Sequence, residues 1–199
     1  MGQRSLIIAL LGLTACPKAA DTVEPAKPAP TDMKSRVVAD FEAAVKANRD
    51  AYVALFDFAA VGEMEILLHR YDLAGRLPNL PDDQKAQFAA EDGTPYPAER
   101  ERRNVGNFYE PLAQRTVGTG GCTAAAPRTR YGKLLGETYA PLPEGTPAGY
   151  EVLRTHANEW LAKGGLVGMT CTGGNGGLAL VYTAKDNARG YELITIYDD

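Results

Sequence analysis

Behind Asp32, a good helix N-cap, Val37, Phe41 and Ala44/Val45 recur at helical spacing with charges between them, and they predict a helix running to about Asn48. Asn48-Arg49-Asp50 interrupts the stripe, and Ala51 to Phe58 restarts it. Met64, Leu67, Leu68 and Tyr71 repeat at i, i+3, i+4 and i+7 and predict a third helix over Glu63 to Leu73. Leu77 to Pro81 is a connector, and Asp82-Asp83 opens another helical piece through Ala90. Between 91 and 127 the periodicity is lost among prolines, glycines and charges. Only Glu99 to Asn104 and Phe108 to Val117 fit helices there, while Arg128 to Tyr139 reads as extended. Thr146 as N-cap with Pro147 at the first helical position then opens a stripe of Tyr150, Leu153, Ala157 and Trp160/Leu161, ended by Gly164-Gly165.

From there the period changes. Leu166 to Thr172, Leu178 to Ala184 and Tyr191 to Tyr197 are short β-rich runs. Gly173 to Gly177 and Asp186 to Gly190 separate them with turn chemistry, so they predict a three-stranded antiparallel meander. Helices first and strands later make this an α+β fold: N-terminal helices followed by a C-terminal antiparallel sheet. The meander is apolar on both faces, with Leu178, Leu180 and Tyr182 on one and Ala179 and Val181 on the other. Either helices and loops cover both faces, or one stays open to a ligand or protein.

The first residues follow neither pattern. MGQRSLIIALLGLTAC carries one charge, Arg4, ahead of the short apolar run Leu6 to Leu13. Such a run is far short of the roughly 20 residues a spanning helix needs, and it has the layout of a secretory signal. Leu13-Thr14-Ala15-Cys16 resembles the lipobox of bacterial lipoproteins. The resemblance implies diacylglycerol on the Cys16 sulfur, cleavage after Ala15, and an acyl chain of the palmitate class on the new amine. Two or three chains at about 0.8 kcal/mol per buried CH₂ anchor stably where one does not. Pro17 stands where retention in the inner membrane favours Asp, which points to the outer membrane. Residues 16–32, CPKAADTVEPAKPAPTD, alternate Pro with Ala and charges and have no aromatic residue, the composition of an extended tether. The expected organisation is a signal over 1–15, a tether over 16–32 and a single α+β domain over 33–199.

Composition adds exclusions. The chain has 199 residues with 21 Lys and Arg against 25 Asp and Glu, a net charge of −4. That balance lacks the broad basic face that nucleic-acid binding requires. The opening FEAAVKANRDAYVALFDFAAV and the closing ELITIYDD resemble the small cystatin/NTF2-like cone domains. The resemblance implies a helix pair broken at the Asn-Asp-type turn and a sheet curled around an apolar pocket, in a class that holds binding modules and enzymes alike.

Candidate chemistry is sparse. Apart from Cys16 the cysteines are Cys122 and Cys171, an even pair in an exported chain. A structural disulfide is the favoured reading, closing a loop of about 50 residues for roughly 4 kcal/mol in the chain-entropy model. A reactive thiol is the other, without a CxxC or a basic neighbour to activate it. Serine occurs only as Ser5 and Ser35, which disfavours a serine hydrolase. His69 and His156 have no partner at i+4 that would make a helical zinc site. Asp57, Asp72, Glu63 and Glu65 are carboxylates within reach of His69 in sequence, and nothing in their spacing separates them from solvated helix faces. Gly118 to Gly121 lacks the Lys-Ser/Thr of a phosphate loop, and Arg100, Arg102 and Arg103 alternate with Glu99 and Glu101 as on a solvated face. No catalytic, metal or cofactor site is assigned.

The sequence therefore favours a lipid-anchored envelope lipoprotein whose domain binds an envelope protein or a small apolar ligand without catalysis. Two alternatives stand: an extracytoplasmic enzyme with a carboxylate/His site in a cone-shaped pocket, and a structural subunit of an envelope complex. A pocket holding His69 or converging carboxylates favours the enzyme, a flat apolar strip a protein partner, and a sheet filled on both faces a structural role.

Overall fold

A computed structural model of the chain describes residues 32–116, 120–127, 134–135, 137–173 and 177–198. Cys16, the signal-like segment and the tether up to Thr31 lie outside them, as do 117–119, 128–133, 136 and 174–176 of the segments read above.

Helix α1, Met33–Ala47, begins where Asp32 accepts the Ser35 N–H at 2.9 Å. The Asn48 break is real. Its side chain accepts the Ala51 N–H at 2.8 Å and caps a short helix α2, Arg49–Val53. The expected continuation to Phe58 does not form. Residues 55–57 instead bond to Leu193 through its carbonyl and its N–H, both at 2.9 Å, because the exposed edge of the last strand offers them partners. Asp57 then accepts the Ala59 and Ala60 N–H groups and starts α3, Phe58–Arg76, five residues earlier than the apolar stripe alone predicts. Burial resists ionisation of Asp57, but the bonds from Lys185 and from Ala60 and Ala59 outweigh it and hold its carboxyl below the ordinary range.

Helices α4 (Asp82–Ala90), α5 (Ala98–Asn107) and α6 (Tyr109–Thr116) follow, then strand β1 (Cys122–Ala125) and a hairpin of β2 (Leu134–Leu135) and β3 (Thr138–Tyr139). Helix α7 is Ala148–Lys163. Thr146 does not cap it. Its hydroxyl donates back to the Pro143 carbonyl at 2.7 Å, leaving Pro147 at the cap position. Gly164 ends the helix where only glycine fits, since a Cβ there would sit 2.0 Å from the Tyr182 carbonyl oxygen.

The meander is present as β4 (Gly165–Cys171), β5 (Gly177–Ala184) and β6 (Tyr191–Asp198). With β1 added it makes an antiparallel sheet in the order β1-β4-β5-β6. One sheet face, with Val167, Met169, Leu180, Tyr182 and Leu193, packs on Val37, Phe41 and Val45 of α1 and on Tyr52. The other, with Val181 and Ile194, packs on Met64 and Leu67 of α3 and Tyr150, Leu153 and Ala157 of α7. Helices thus cover both faces, which is why the strands read as apolar on both sides. A register shift at Val181/Tyr182 marks a bulge in the β5–β6 pairing.

Candidate functional site

Cys122 and Cys171 stand opposite each other in the β1–β4 register and are joined, S–S 2.04 Å, as the even cysteine pair predicts. The buried Glu42 of α1 accepts the Cys122 N–H at 3.0 Å and a bond from Lys46 at 2.6 Å, which ties this edge of the sheet to the helix.

The opposite edge is built differently. Beside β6, between α3 and α5, lies a cleft of about 240 Å³. Val61, Val105, Ile196 and the rings of Tyr52, Phe56 and Phe108 give it apolar walls, and Glu65, Glu101, Asn104, Asn107 and Thr195 its polar groups. Phe108 is 62% exposed and stands as an apolar rim. Glu101 is 3% exposed, which corrects its reading as part of a solvated face: on α5 it shares the inner face with Val105, one turn on. Its carboxylate lies 3.3 Å from the Arg100 guanidinium and accepts the Asn104 amide at 3.3 Å. The Arg100 guanidinium itself lies over the Tyr96 ring, 3.5 Å from its centroid.

Glu65 has fewer partners. It accepts one bond, from the Thr195 hydroxyl at 3.3 Å. Burial pushes its carboxyl above the ordinary value of 4.5, and the nearby Glu101 carboxylate pushes it the same way. Tyr52 is fully buried among Phe41, Phe56 and Tyr109, and its hydroxyl has no hydrogen-bond partner among the described residues. An unmet buried hydroxyl costs about 1–3 kcal/mol. Tyr52, Glu65 and Glu101 all belong to the lining of this cleft, although the Tyr52 hydroxyl itself is sealed from solvent.

The other sequence candidates go elsewhere. His156 sits 2.6 Å from Glu63, a partly exposed pair linking α7 to α3. Asp72 bonds Arg76 one turn along α3, and Asp57 faces Lys185. His69 lies 3.5 Å from Glu91 at a second recess of about 330 Å³ whose lining includes Gln87, Asp92, Thr94 and Arg100. Glu91 already accepts the Tyr150 hydroxyl at 3.1 Å, and this recess has little apolar wall beyond Ile66 and Tyr96. His69 and Glu65 therefore do not share a site.

Sequence reasoning named Glu65 only as one of several carboxylates and set Glu101 aside. The Glu101–Val105 spacing of four was the available signal. No group of three or more His, Cys, Asp or Glu side chains suited to a metal occurs among the described residues, and no described helix is long and apolar enough to cross a membrane. No protein-family model, curated protein or solved structure matches the chain.

Proposed function

We propose that the protein is a bacterial envelope lipoprotein, acylated at Cys16, whose α+β domain binds a small ligand in the cleft beside β6. The observation that carries the address is Leu13-Thr14-Ala15-Cys16 after a short apolar run with one basic residue, followed by a Pro/Ala-rich tether. The Cys122–Cys171 bridge supports it, because disulfides persist in oxidising compartments outside the cytoplasm. The cleft supports binding: apolar walls with a few convergent polar groups are the usual composition of a small-molecule site. With both sheet faces under helices, a broad apolar docking face has no support among the described residues. Cys16→Ser tests the address. Radiolabelled palmitate enters the wild type and not the variant, and the variant's processing at Ala15 is lost. Equal label in both overturns the lipid anchor.

A second reading has its own observation. Glu65, with a raised carboxyl, beside Glu101 is the arrangement of an acid paired with a base, so an extracytoplasmic enzyme follows if water or a leaving group fits between them. Against it, the Glu101 oxygens are already engaged by Arg100 and Asn104. Turnover that disappears in Glu65→Gln would favour the enzyme. Binding without turnover favours the carrier.

A further inference from the structure

We infer that α4 is a displaceable strap, latched by Phe88 onto Arg70 of α3, that covers a polar trough around His69 and Glu91, apart from the cleft beside β6.

The helix is held at one point. Of its nine residues only Phe88 is buried; Lys85 is half-buried and the others are exposed. No side chain caps its N-terminus, and Lys85 turns back onto Asp82 of the same helix. Among the described residues, the one hydrogen bond that reaches it from another helix runs from the Arg70 guanidinium to the Phe88 carbonyl at 2.8 Å. The same guanidinium lies 3.6 Å from the centroid of the Phe88 ring and 5.1 Å from that of Tyr150. A helix this short does not persist alone in water, so α4 depends on that contact.

The latch itself is incompletely satisfied. Arg70 is 5% exposed, and its Nε is sealed from solvent with no hydrogen-bond partner among the described residues. Closing α4 over a guanidinium removes water from a group with five N–H donors, and the Phe88 carbonyl replaces that water at Nη1 while Nε stays unmet. Release rehydrates the guanidinium and offsets part of the lost ring contact. The closed and released states are thereby drawn together in free energy, which is the condition for opening without global unfolding.

The two ends of α4 differ. On the C-terminal side Glu91 accepts the Tyr150 hydroxyl at 3.1 Å, and Gly93 has φ +87. A Cβ at Gly93 would lie 2.9 Å from the Tyr150 nitrogen, and one at Gly149 would lie 2.3 Å from the Asp92 carbonyl oxygen. That close approach pins residues 91–93 to the start of α7. On the N-terminal side no residue from 72 to 87 is buried, and Pro78 and Pro81 have no N–H to tie the connector down. The helix therefore swings on 91–93, with the connector as slack.

What it covers follows from the recesses beside it. One of about 330 Å³ and another of about 190 Å³ share His69, Gln87 and Glu91 in their linings. Of these three only Gln87 belongs to α4. When the strap lifts, Gln84, Gln87 and Phe88 leave with it and the two recesses merge. His69 and Glu91, 3.5 Å apart, then line one open trough, and the Arg70 guanidinium is uncovered.

The test is hydrogen exchange, read by mass spectrometry on the full chain in detergent. In the wild type, peptides over 82–90 are expected to exchange at least about a hundredfold faster than those over α3 and β5, at a rate that low urea leaves unchanged. Phe88→Ala is expected to speed exchange over 82–90 at least about tenfold further and to leave α3 and β5 as they were. Phe88→Leu, which refills the slot without a ring for the guanidinium, is expected to fall between the two. Carbethoxylation of His69 in Phe88→Ala is expected to rise at least about twofold, with His156 on its Glu63 pair as the internal reference. Exchange over 82–90 that matches α3 in the wild type, or that accelerates together with β5 in Phe88→Ala, overturns the strap and makes α4 part of the core. Exchange over 82–90 that is the same in Phe88→Ala or Phe88→Leu as in the wild type overturns the ring–guanidinium latch. Unchanged His69 labelling overturns the covered trough.

Discussion

The two edges of the sheet each receive a glutamate from a helix, and the two glutamates serve opposite purposes. At the β1 edge Glu42 accepts from the Cys122 N–H and from Lys46, and a disulfide joins that strand to β4. At the β6 edge the one hydrogen bond to Glu65 among the described residues comes from the Thr195 hydroxyl, and Glu65 faces a second carboxylate and lines a cleft. Residue type and partial burial are shared, so neither one distinguishes structure from function here. What separates the two is how many of the carboxylate's bonds the chain itself fills.

The comparison can be attacked from either edge. The largest effect is expected from Cys122→Ala with Cys171→Ala, which should lower stability by about 2–5 kcal/mol in urea unfolding. A loss under one kcal/mol would mean that β1 is held by the sheet alone. Glu42→Ala, which strips the partner of the buried Cys122 N–H, should cost about 1–3 kcal/mol by the same measurement.

Glu65→Gln should act in the other direction. The Glu65 carboxyl is raised in the folded chain, so its ionisation penalises folding as pH rises from the ordinary value of 4.5 through the folded one. Below 4.5 both states hold the proton and no penalty exists. The variant should therefore melt higher than wild type at neutral pH, with the difference closing on acidification. A Gln variant that melts lower at every pH would place Glu65 with Glu42 as a structural residue. The smallest effect belongs to Phe108→Ala, within about 0.5 kcal/mol of wild type because the ring is exposed at the rim. A larger loss would make the rim part of the core.

The sequence carried the fold further than the site. The stripe Val37, Phe41, Val45 and the break at Asn48 were readable because the helix period and the cap are local signals. The meander was readable because its turns are glycine-rich or begin Asp-Asn. Strand β1 was not, since four residues with small side chains and only Cys122 buried leave no alternation to detect. The 55–57 segment reads as helix because its partner, Leu193, lies far along the chain. The cleft was invisible for the same reason: Tyr52, Glu65, Glu101 and Thr195 come from four elements, and only the packing of α5 on α3 and α2 beside the β6 edge brings them together. Arg70 is a similar case. It is buried with its guanidinium 3.6 Å from the centre of the Phe88 ring, in a position that helical spacing assigns to neither core nor surface.

The strand order has a consequence for how the chain acquires this structure. In the four-stranded sheet β1 pairs only with β4, and every other pairing is made within 165–198. A chain delivered N-terminus first, by a ribosome or a translocation channel, therefore has helices α1 to α7, β1 and the small β2–β3 hairpin in hand without the four-stranded sheet to pack against. Those helices wait with their apolar stripes open until the meander arrives, so completion is a late, single event rather than a progressive one. A nascent chain held just short of Gly165 would be the species most in need of a chaperone.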